Sequence, residues 1–141
     1  MTRDLVNNVK VTQVAIAATK TGTVTSDPVG MAGYNSLMFI YDIGNSADSL
    51  SGSLLWTLSL VECDTSGGNY TAVAAADILG WNGAATYVID APTEASLAVK
   101  VGYIGNKPFV KALATVTGSH SSGTPMGIVA VQGEARHNPV A

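Results

Sequence analysis

Runs of residues in which apolar and polar side chains alternate recur along the chain, and they constrain its fold more than any other feature. The clearest run covers residues 54–63 and places every second side chain on one face: Leu54, Trp56, Leu58 and Leu60. Because successive side chains of a strand point to opposite faces, this spacing predicts a strand with one buried face. Similar strands are predicted at residues 9–18, 36–43, 86–90, 97–103, 110–116 and 126–132, with a further short strand among the loops of residues 19–33.

Turn-forming residues separate these runs and indicate how the strands connect. The apolar phase shifts at Thr12-Gln13, which predicts a bulge or a bend. Residues 97–103 and 110–116 flank the turn sequence 105–108 and form the best candidate for a β-hairpin. Alanines 74–76 predict one short helical turn within residues 70–79. The chain is therefore predicted to be all-β: an antiparallel β-sandwich, jelly-roll-like, of about eight strands with one short helical turn.

The length of 141 residues predicts a single domain over residues 1–141. Its two ends are polar, because residues 1–8 offer only Leu5 and Val6 for burial and residues 134–141 are mostly polar or charged. Chain ends that bury little apolar surface commonly stay mobile. We therefore expect flexible arms at about residues 1–8 and 134–141 that become ordered on contact with a partner.

The charge content restricts the partners. Charged residues make up 12% of the chain, against about 25% in an average domain, and the net charge is −3. Few charges favour a surface that is partly covered by neighbouring subunits, whereas the scattered lysines and arginines argue against nucleic acid. No apolar stretch is long enough to span a membrane, and no secretory signal opens the chain, so synthesis in a cytoplasm is expected.

Few residues offer chemistry. His120 is flanked by serines 119, 121 and 122, but neighbours in sequence do not form a catalytic triad, so we expect a solvated loop. Cys63 is the only cysteine, and no zinc-ligand spacing or phosphate-binding glycine loop is present. We expect no enzyme activity and no cofactor. The sequence leaves open whether a cation binds where four acidic residues could converge: Asp42, Asp48, Glu62 and Asp64.

Trp81 lies in a loop between two glycines, where it could be exposed. An exposed tryptophan could stack on a sugar, as in a carbohydrate-binding module, or contact a neighbouring subunit. Candidate contact residues for a partner are this tryptophan and residues of the two arms: Arg3, Asp4, Leu5, Trp81, Arg136 and His137.

Three stretches, taken in order, resemble a known family. They are Leu58-Ser-Leu-Val-Glu-Cys-Asp64, followed by Tyr70-Thr-Ala-Val73 and Asp77-Ile-Leu-Gly80; Val101-Gly-Tyr-Ile-Gly-Asn-Lys-Pro-Phe-Val110; and Thr115-Val-Thr-Gly-Ser-His-Ser-Ser-Gly-Thr-Pro-Met-Gly127, which closes with Arg136-His-Asn-Pro139. Over most of residues 3–139 the chain resembles small virion structural proteins of tailed bacteriophages and of gene-transfer particles. Lys107-Pro108-Phe109 departs from the Lys-Arg-Tyr expected there, which lowers the charge of that turn.

The resemblance implies a β-sandwich subunit, made in the bacterial host, that decorates or cements the outer surface of a capsid. Its implied partner is the major capsid protein, and the implied oligomer is a homotrimer. The family brings no catalytic residues. The alternatives are a tail, neck or fibre component of the same virion and, from a different class, a carbohydrate-binding module.

Overall fold

The computed structural model describes residues 3–91 and 96–135, and these ranges contain eleven strands. In chain order they are β1 (Lys10–Lys20), β2 (Val24–Thr25), β3 (Val29–Gly30), β4 (Tyr34–Ile43), β5 (Leu55–Cys63), β6 (Thr71–Ala72), β7 (Ile78–Leu79), β8 (Thr86–Ile89), β9 (Leu97–Tyr103), β10 (Phe109–Thr117) and β11 (Thr124–Ala135). Two 3-10 turns, Val6–Asn8 and Ala75–Asp77, are the only helical pieces of the described ranges. None of the described residues forms a helix long and apolar enough to cross a membrane.

The strands form two antiparallel sheets that enclose one core. Sheet A has the order β1-β11-β4-β9-β7, and sheet B has the order β2-β10-β5-β6, with β3 paired to β10 and β8 paired to β5. The predicted all-β antiparallel sandwich is confirmed. The strands outnumber the predicted eight by three: residues 19–33 hold two short strands, β2 and β3, where one was predicted, and β6 and β7 are further two-residue strands, too short to show alternation in the sequence.

The core lies between the two sheets and uses the faces that alternation predicts. Phe39 and Tyr41 of β4 are fully buried, and so are Trp56 and Leu58 of β5. The Tyr41 hydroxyl crosses the core and donates to the carbonyl oxygens of Ser59 (3.1 Å) and Leu113 (3.0 Å) in sheet B. Burial raises the pKa of Tyr41, so this hydroxyl stays protonated and remains a donor.

The predicted hairpin of residues 97–103 and 110–116 is wrong. Strand β9 pairs with β4 and β7 in sheet A, whereas β10 pairs with β5, β2 and β3 in sheet B. The turn between them is therefore a corner that connects the two sheets. Val101 and Ala112 are both buried, but they face the core from opposite sides. Alternation identifies the buried face of a strand but does not determine which strands pair with it.

The short helical turn predicted within residues 70–79 is present as a 3-10 turn of three residues. Val73 and Ile78 are buried against the core, and the Val73 N–H donates to the Leu60 carbonyl in sheet B, so the segment follows the sheets and keeps only the 3-10 turn Ala75–Asp77. The predicted bulge of β1 is present slightly later, as register shifts on either side of Ala15. The last strand continues to Ala135, so the predicted polar tail begins inside β11.

Candidate interaction surfaces

Residues 3–8, just before β1, form a turn that exposes two apolar side chains; we call it the N-terminal turn. The Asp4 carboxylate accepts hydrogen bonds from the side-chain amide of Asn7 (2.7 Å) and from its backbone N–H (3.0 Å). Both bonds lower the pKa of Asp4, and the side-chain bond has the larger effect. The Asn8 N–H donates to the Leu5 carbonyl at 3.1 Å, which closes the turn. The result holds Leu5 69% exposed and Val6 83% exposed.

The predicted contact residues have three different outcomes. Arg3, Asp4 and Leu5 are all exposed at the N-terminal turn, beside the edge strand β1. The expectation of an exposed Trp81 is wrong, because this side chain is only 4% exposed and packs near Tyr87, with ring centroids 6.2 Å apart. Loop composition suggested exposure, but the loop folds its ring into the core. Arg136 and His137 lie outside the described residues.

The outer face of sheet A, which points away from the core, is largely apolar; we call it the apolar face. One row of directly paired residues crosses all five strands of the sheet: Val11, Val131, Met38, Gly102 and Leu79. The next row contains Gln13, Val129, Ile40 and Lys100. Residues that pair directly across strands lie on the same face. Val11 is 63% exposed and Leu79 is 53% exposed, whereas the side chains between them are half-buried.

Two opposite charges lie within the apolar face. Asp42 pairs with Ala98, and Lys100 pairs with Ile40, so the acid and the base are diagonal neighbours on β4 and β9. Diagonal neighbours in an antiparallel pair lie about 7–8 Å apart. Neither side chain forms an ion pair with another residue of the described chain. The face thus carries one unpaired charge of each sign.

Glycines shape one side of the apolar face. A shallow pocket of about 210 Å³ is lined by Met38, Leu79, Gly80, Lys100 and Gly102. A Cβ on Gly102 would lie 3.3 Å from the Cβ of Leu79, so a larger residue at position 102 would require that leucine to shift slightly. The pocket floor is therefore backbone, beside a projecting leucine.

The outer face of sheet B has a different character. Its directly paired rows are rich in hydroxyl groups, with Thr115 opposite Thr57 and Leu113 opposite Ser59. Among the described residues, Val88 of β8 is the one large hydrophobic side chain of this face that is more than a third exposed. It is 41% exposed. The outer face of sheet B thus mixes hydroxyl groups with half-buried apolar side chains such as Val61, Phe109 and Leu113, whereas the central strands of sheet A carry adjacent aliphatic side chains.

Two continuous apolar runs in the sequence carried a signal for this surface. Residues 37–41 and 128–131 are apolar at every position, and they form the middle of β4 and β11. Strands that are apolar on both sides are typical of sheets that are covered on both sides. Alternation drew attention to Leu37, Phe39 and Tyr41 and left Met38 and Ile40 without a role.

His120 is buried in the core, and the prediction of a solvated loop is wrong. Its Nε2 faces the carbonyl oxygens of Thr117 (3.1 Å) and Leu55 (3.3 Å), and its ring packs against Trp56 with a centroid distance of 5.0 Å. Because both partners are acceptors, Nε2 carries the hydrogen. His120 Nδ1 lies 3.8 Å from a carboxylate oxygen of Asp48 and has no hydrogen-bond partner.

Asp48 connects two loops at this end of the sandwich. Its carboxylate accepts the backbone N–H groups of Ser122 (3.0 Å) and Gly123 (2.7 Å). Both bonds lower the pKa of Asp48, and the bond from Ser122 has the larger effect. Although Asp48, His120 and serines lie together, no serine hydroxyl in the described ranges hydrogen-bonds His120. The group therefore lacks the serine–histidine contact that a nucleophilic serine needs.

The four acidic residues do not converge on one site, so the cation site that the sequence left open does not form. Asp48 belongs to the His120 loops, Asp42 to the apolar face, and Asp64 forms an ion pair with Lys107 at 3.1 Å. Glu62 accepts a hydrogen bond from the Tyr103 hydroxyl. No group of three or more histidine, cysteine or acidic side chains that could hold a metal ion occurs within residues 3–91 and 96–135.

Comparison with known proteins finds likenesses among solved structures. No protein-family model matches the chain. No curated protein matches it either. The structure is similar to that of the SPBc2 prophage-derived protein YomS, with a TM-score of 0.48 and 10% sequence identity over 92% of this chain and 98% of that chain. A likeness at this level does not indicate what the chain does.

Proposed function

We propose that this chain is a non-enzymatic structural protein that works by binding other protein surfaces. In its specific form, the proposal is that it belongs to a virion and decorates the outer capsid surface of a tailed bacteriophage or gene-transfer particle. The observation that carries the binding role is the N-terminal turn, which holds Leu5 and Val6 in solvent next to the edge strand β1. The capsid as partner is supported by the resemblance of the three sequence stretches.

The N-terminal turn suits a docking element for a physical reason. Burial of a large aliphatic side chain contributes about 1.5–3 kcal/mol, so two such residues supply a modest affinity for each copy. A shell needs no more than this, because a protein that binds only the assembled form stabilises it by mass action. In place of the flexible arm expected at residues 1–8, the bonds of Asp4 to Asn7 favour the turn before binding, which reduces the entropy lost on docking.

The edge strand β1 extends the same surface. Most of its residues are exposed, and Ile16 is 72% exposed. On the side of β2, the Asp27 N–H donates a hydrogen bond to the Val14 carbonyl of β1, with a distance of 2.8 Å. Natural proteins usually cover or shorten exposed edge strands, because these pair readily with other chains. An edge strand with most of its side chains exposed, beside two exposed aliphatic residues, supports a protein partner at this end of the molecule.

The test is the number of copies of this chain in purified particles, measured by quantitative mass spectrometry of separated heads and tails. The proposal predicts hundreds of copies in the head fraction, as expected for repeated positions on a symmetric shell. A few to dozens of copies in the tail fraction would replace the capsid role with a tail, neck or fibre role. Absence from both fractions would refute a virion role altogether.

A further inference from the structure

We infer that the apolar face is a self-association surface, on which a second copy of this chain packs with its own apolar face across a two-fold axis. This contact is separate from the proposed docking of the N-terminal turn, and it makes a dimer where the resemblance of the sequence implies a homotrimer. It assigns a partner to the outer side of β4, β11 and β9. It also specifies which residues meet across the axis.

The first support is the composition of the central strands. Met38 and Ile40 on β4 pair with Val131 and Val129 on β11, so four aliphatic side chains lie together in the middle of the sheet. Leu79, 53% exposed, extends this patch to the far edge. An exposed apolar patch of this extent is typical of an interaction site.

The second support is the pair of charges, and it selects a second copy over another partner. Lys100 and Asp42 are diagonal neighbours without an ion pair among the described residues. A two-fold axis that lies in the contact plane and passes between them brings Lys100 of each copy opposite Asp42 of the other. One acid and one base therefore form two intermolecular ion pairs. A face that carries equal and opposite charges is complementary to itself.

The third support is the size of the face. Its three rows cross five, four and three strands, and at about 4.8 Å between strands and about 7 Å between rows these positions give roughly 400 Å² for each copy. Two copies then bury about 800 Å², which is the size of a weak, transient contact. The contact is large enough for a dimer that dissociates on dilution, and two sheets of one sandwich pack in the same manner.

The first experiment measures the mass of the full chain by sedimentation equilibrium from low to high micromolar concentration. We expect a reversible rise from the 14.4 kDa of one chain to twice that mass. Leu79→Glu should weaken this association by more than about 10-fold, because it places an acid within the contact. Val88→Glu is the matched control, since it changes an exposed aliphatic residue of a short strand on the opposite sheet, and it should leave the association unchanged. A chain that stays monomeric, a trimer, or equal effects of the two variants would overturn the inference.

The second experiment tests the charge pairing. Lys100→Glu and Asp42→Lys should each weaken self-association, because each variant alone brings like charges together across the axis. An equimolar mixture of the two variants should form mixed dimers, because each new charge then meets its opposite on the partner. Circular dichroism of both variants establishes that they fold. If the mixture associates no better than either variant alone, the two-fold pairing of Lys100 with Asp42 is refuted.

Discussion

The Tyr103 hydroxyl donates a 2.6 Å hydrogen bond to a carboxylate oxygen of Glu62 and thereby connects sheet A to sheet B. The same hydroxyl accepts the backbone N–H of Lys107 at 3.0 Å. It therefore also fixes the corner at which the chain passes from β9 to β10. The pKa of Tyr103 is raised mainly by burial and, to a smaller extent, by the hydrogen bond to Glu62. The hydroxyl therefore stays protonated and remains a donor.

Tyr103→Phe removes this connection and keeps the ring. We expect it to lower the free energy of unfolding by about 1–2 kcal/mol, since a hydrogen bond to a charged group is lost and the partly exposed Glu62 can regain water. Tyr70→Phe is the control, because the Tyr70 hydroxyl donates to the Ser66 carbonyl within a single loop and should change stability by less than about 0.5 kcal/mol. Urea unfolding of both variants checks this. Equal stability of the two would show that the corner is held by other contacts.

The corner at residues 105–107 shows where sequence reasoning stops. Alternation correctly predicted that Val101 and Tyr103 share a buried face, and likewise Val110 and Ala112. A hairpin and a corner between facing sheets produce the same alternation, and both need a tight turn. They differ in strand pairing: β9 pairs with β4 and β10 with β5, and the bond from Tyr103 to Glu62, residues 41 positions apart, joins the two sheets at the corner. Such a contact is not visible in a local pattern.

Trp56 is the central side chain of the core on sheet B. It is fully buried, packs against His120, and its indole N–H donates to the Thr124 hydroxyl at 3.1 Å. Trp56→Ala should lower the free energy of unfolding by about 3–5 kcal/mol, because it leaves a large cavity. Val88→Ala, on the outer face of sheet B, should change it by less than about 0.5 kcal/mol. A well-folded Trp56→Ala variant with unchanged melting temperature would contradict the arrangement of the core.

Asp48 makes the stability depend on acid pH. Its folded-state pKa lies below the ordinary aspartate value of 3.8, so the ionised carboxylate stabilises the fold above that pH, and the stabilisation is lost as the pH falls through the folded pKa. Asp48→Asn should be less stable than the wild type at neutral pH, because the amide is a weaker acceptor for the N–H groups of Ser122 and Gly123. The difference should shrink in strong acid.

The measurement is urea unfolding of the wild type and of Asp48→Asn across the acid range. Asp4→Asn is a control for carboxylate removal in general, because Asp4 also has a lowered pKa but lies at the exposed N-terminal turn. A constant difference between wild type and Asp48→Asn at every pH would mean that the carboxylate does not hold the two loops.

The candidate surfaces were only partly predictable. The sequence identified Leu5 as a contact residue because the polar N-terminus leaves it little to pack against, and the structure places it in solvent. The prediction of an exposed Trp81 failed because glycine-rich surroundings do not determine whether a ring turns toward the core. The burial of His120 depends on Leu55 and Trp56, which are distant in sequence. The apolar face was readable in the continuous apolar runs of β4 and β11.

The most direct test of the proposed function is the binding of purified variants to phage heads assembled without this protein, measured by co-sedimentation. The wild type should bind to saturation, and so should Val88→Asp, which changes an exposed aliphatic residue elsewhere. The double variant Leu5→Asp and Val6→Asp, and a chain that lacks residues 1–8, should melt at near-normal temperatures but bind at least about 10-fold more weakly, because the buried aliphatic contact is lost. If both bind heads as tightly as the intact chain, the N-terminal turn is not the docking element and the account is contradicted.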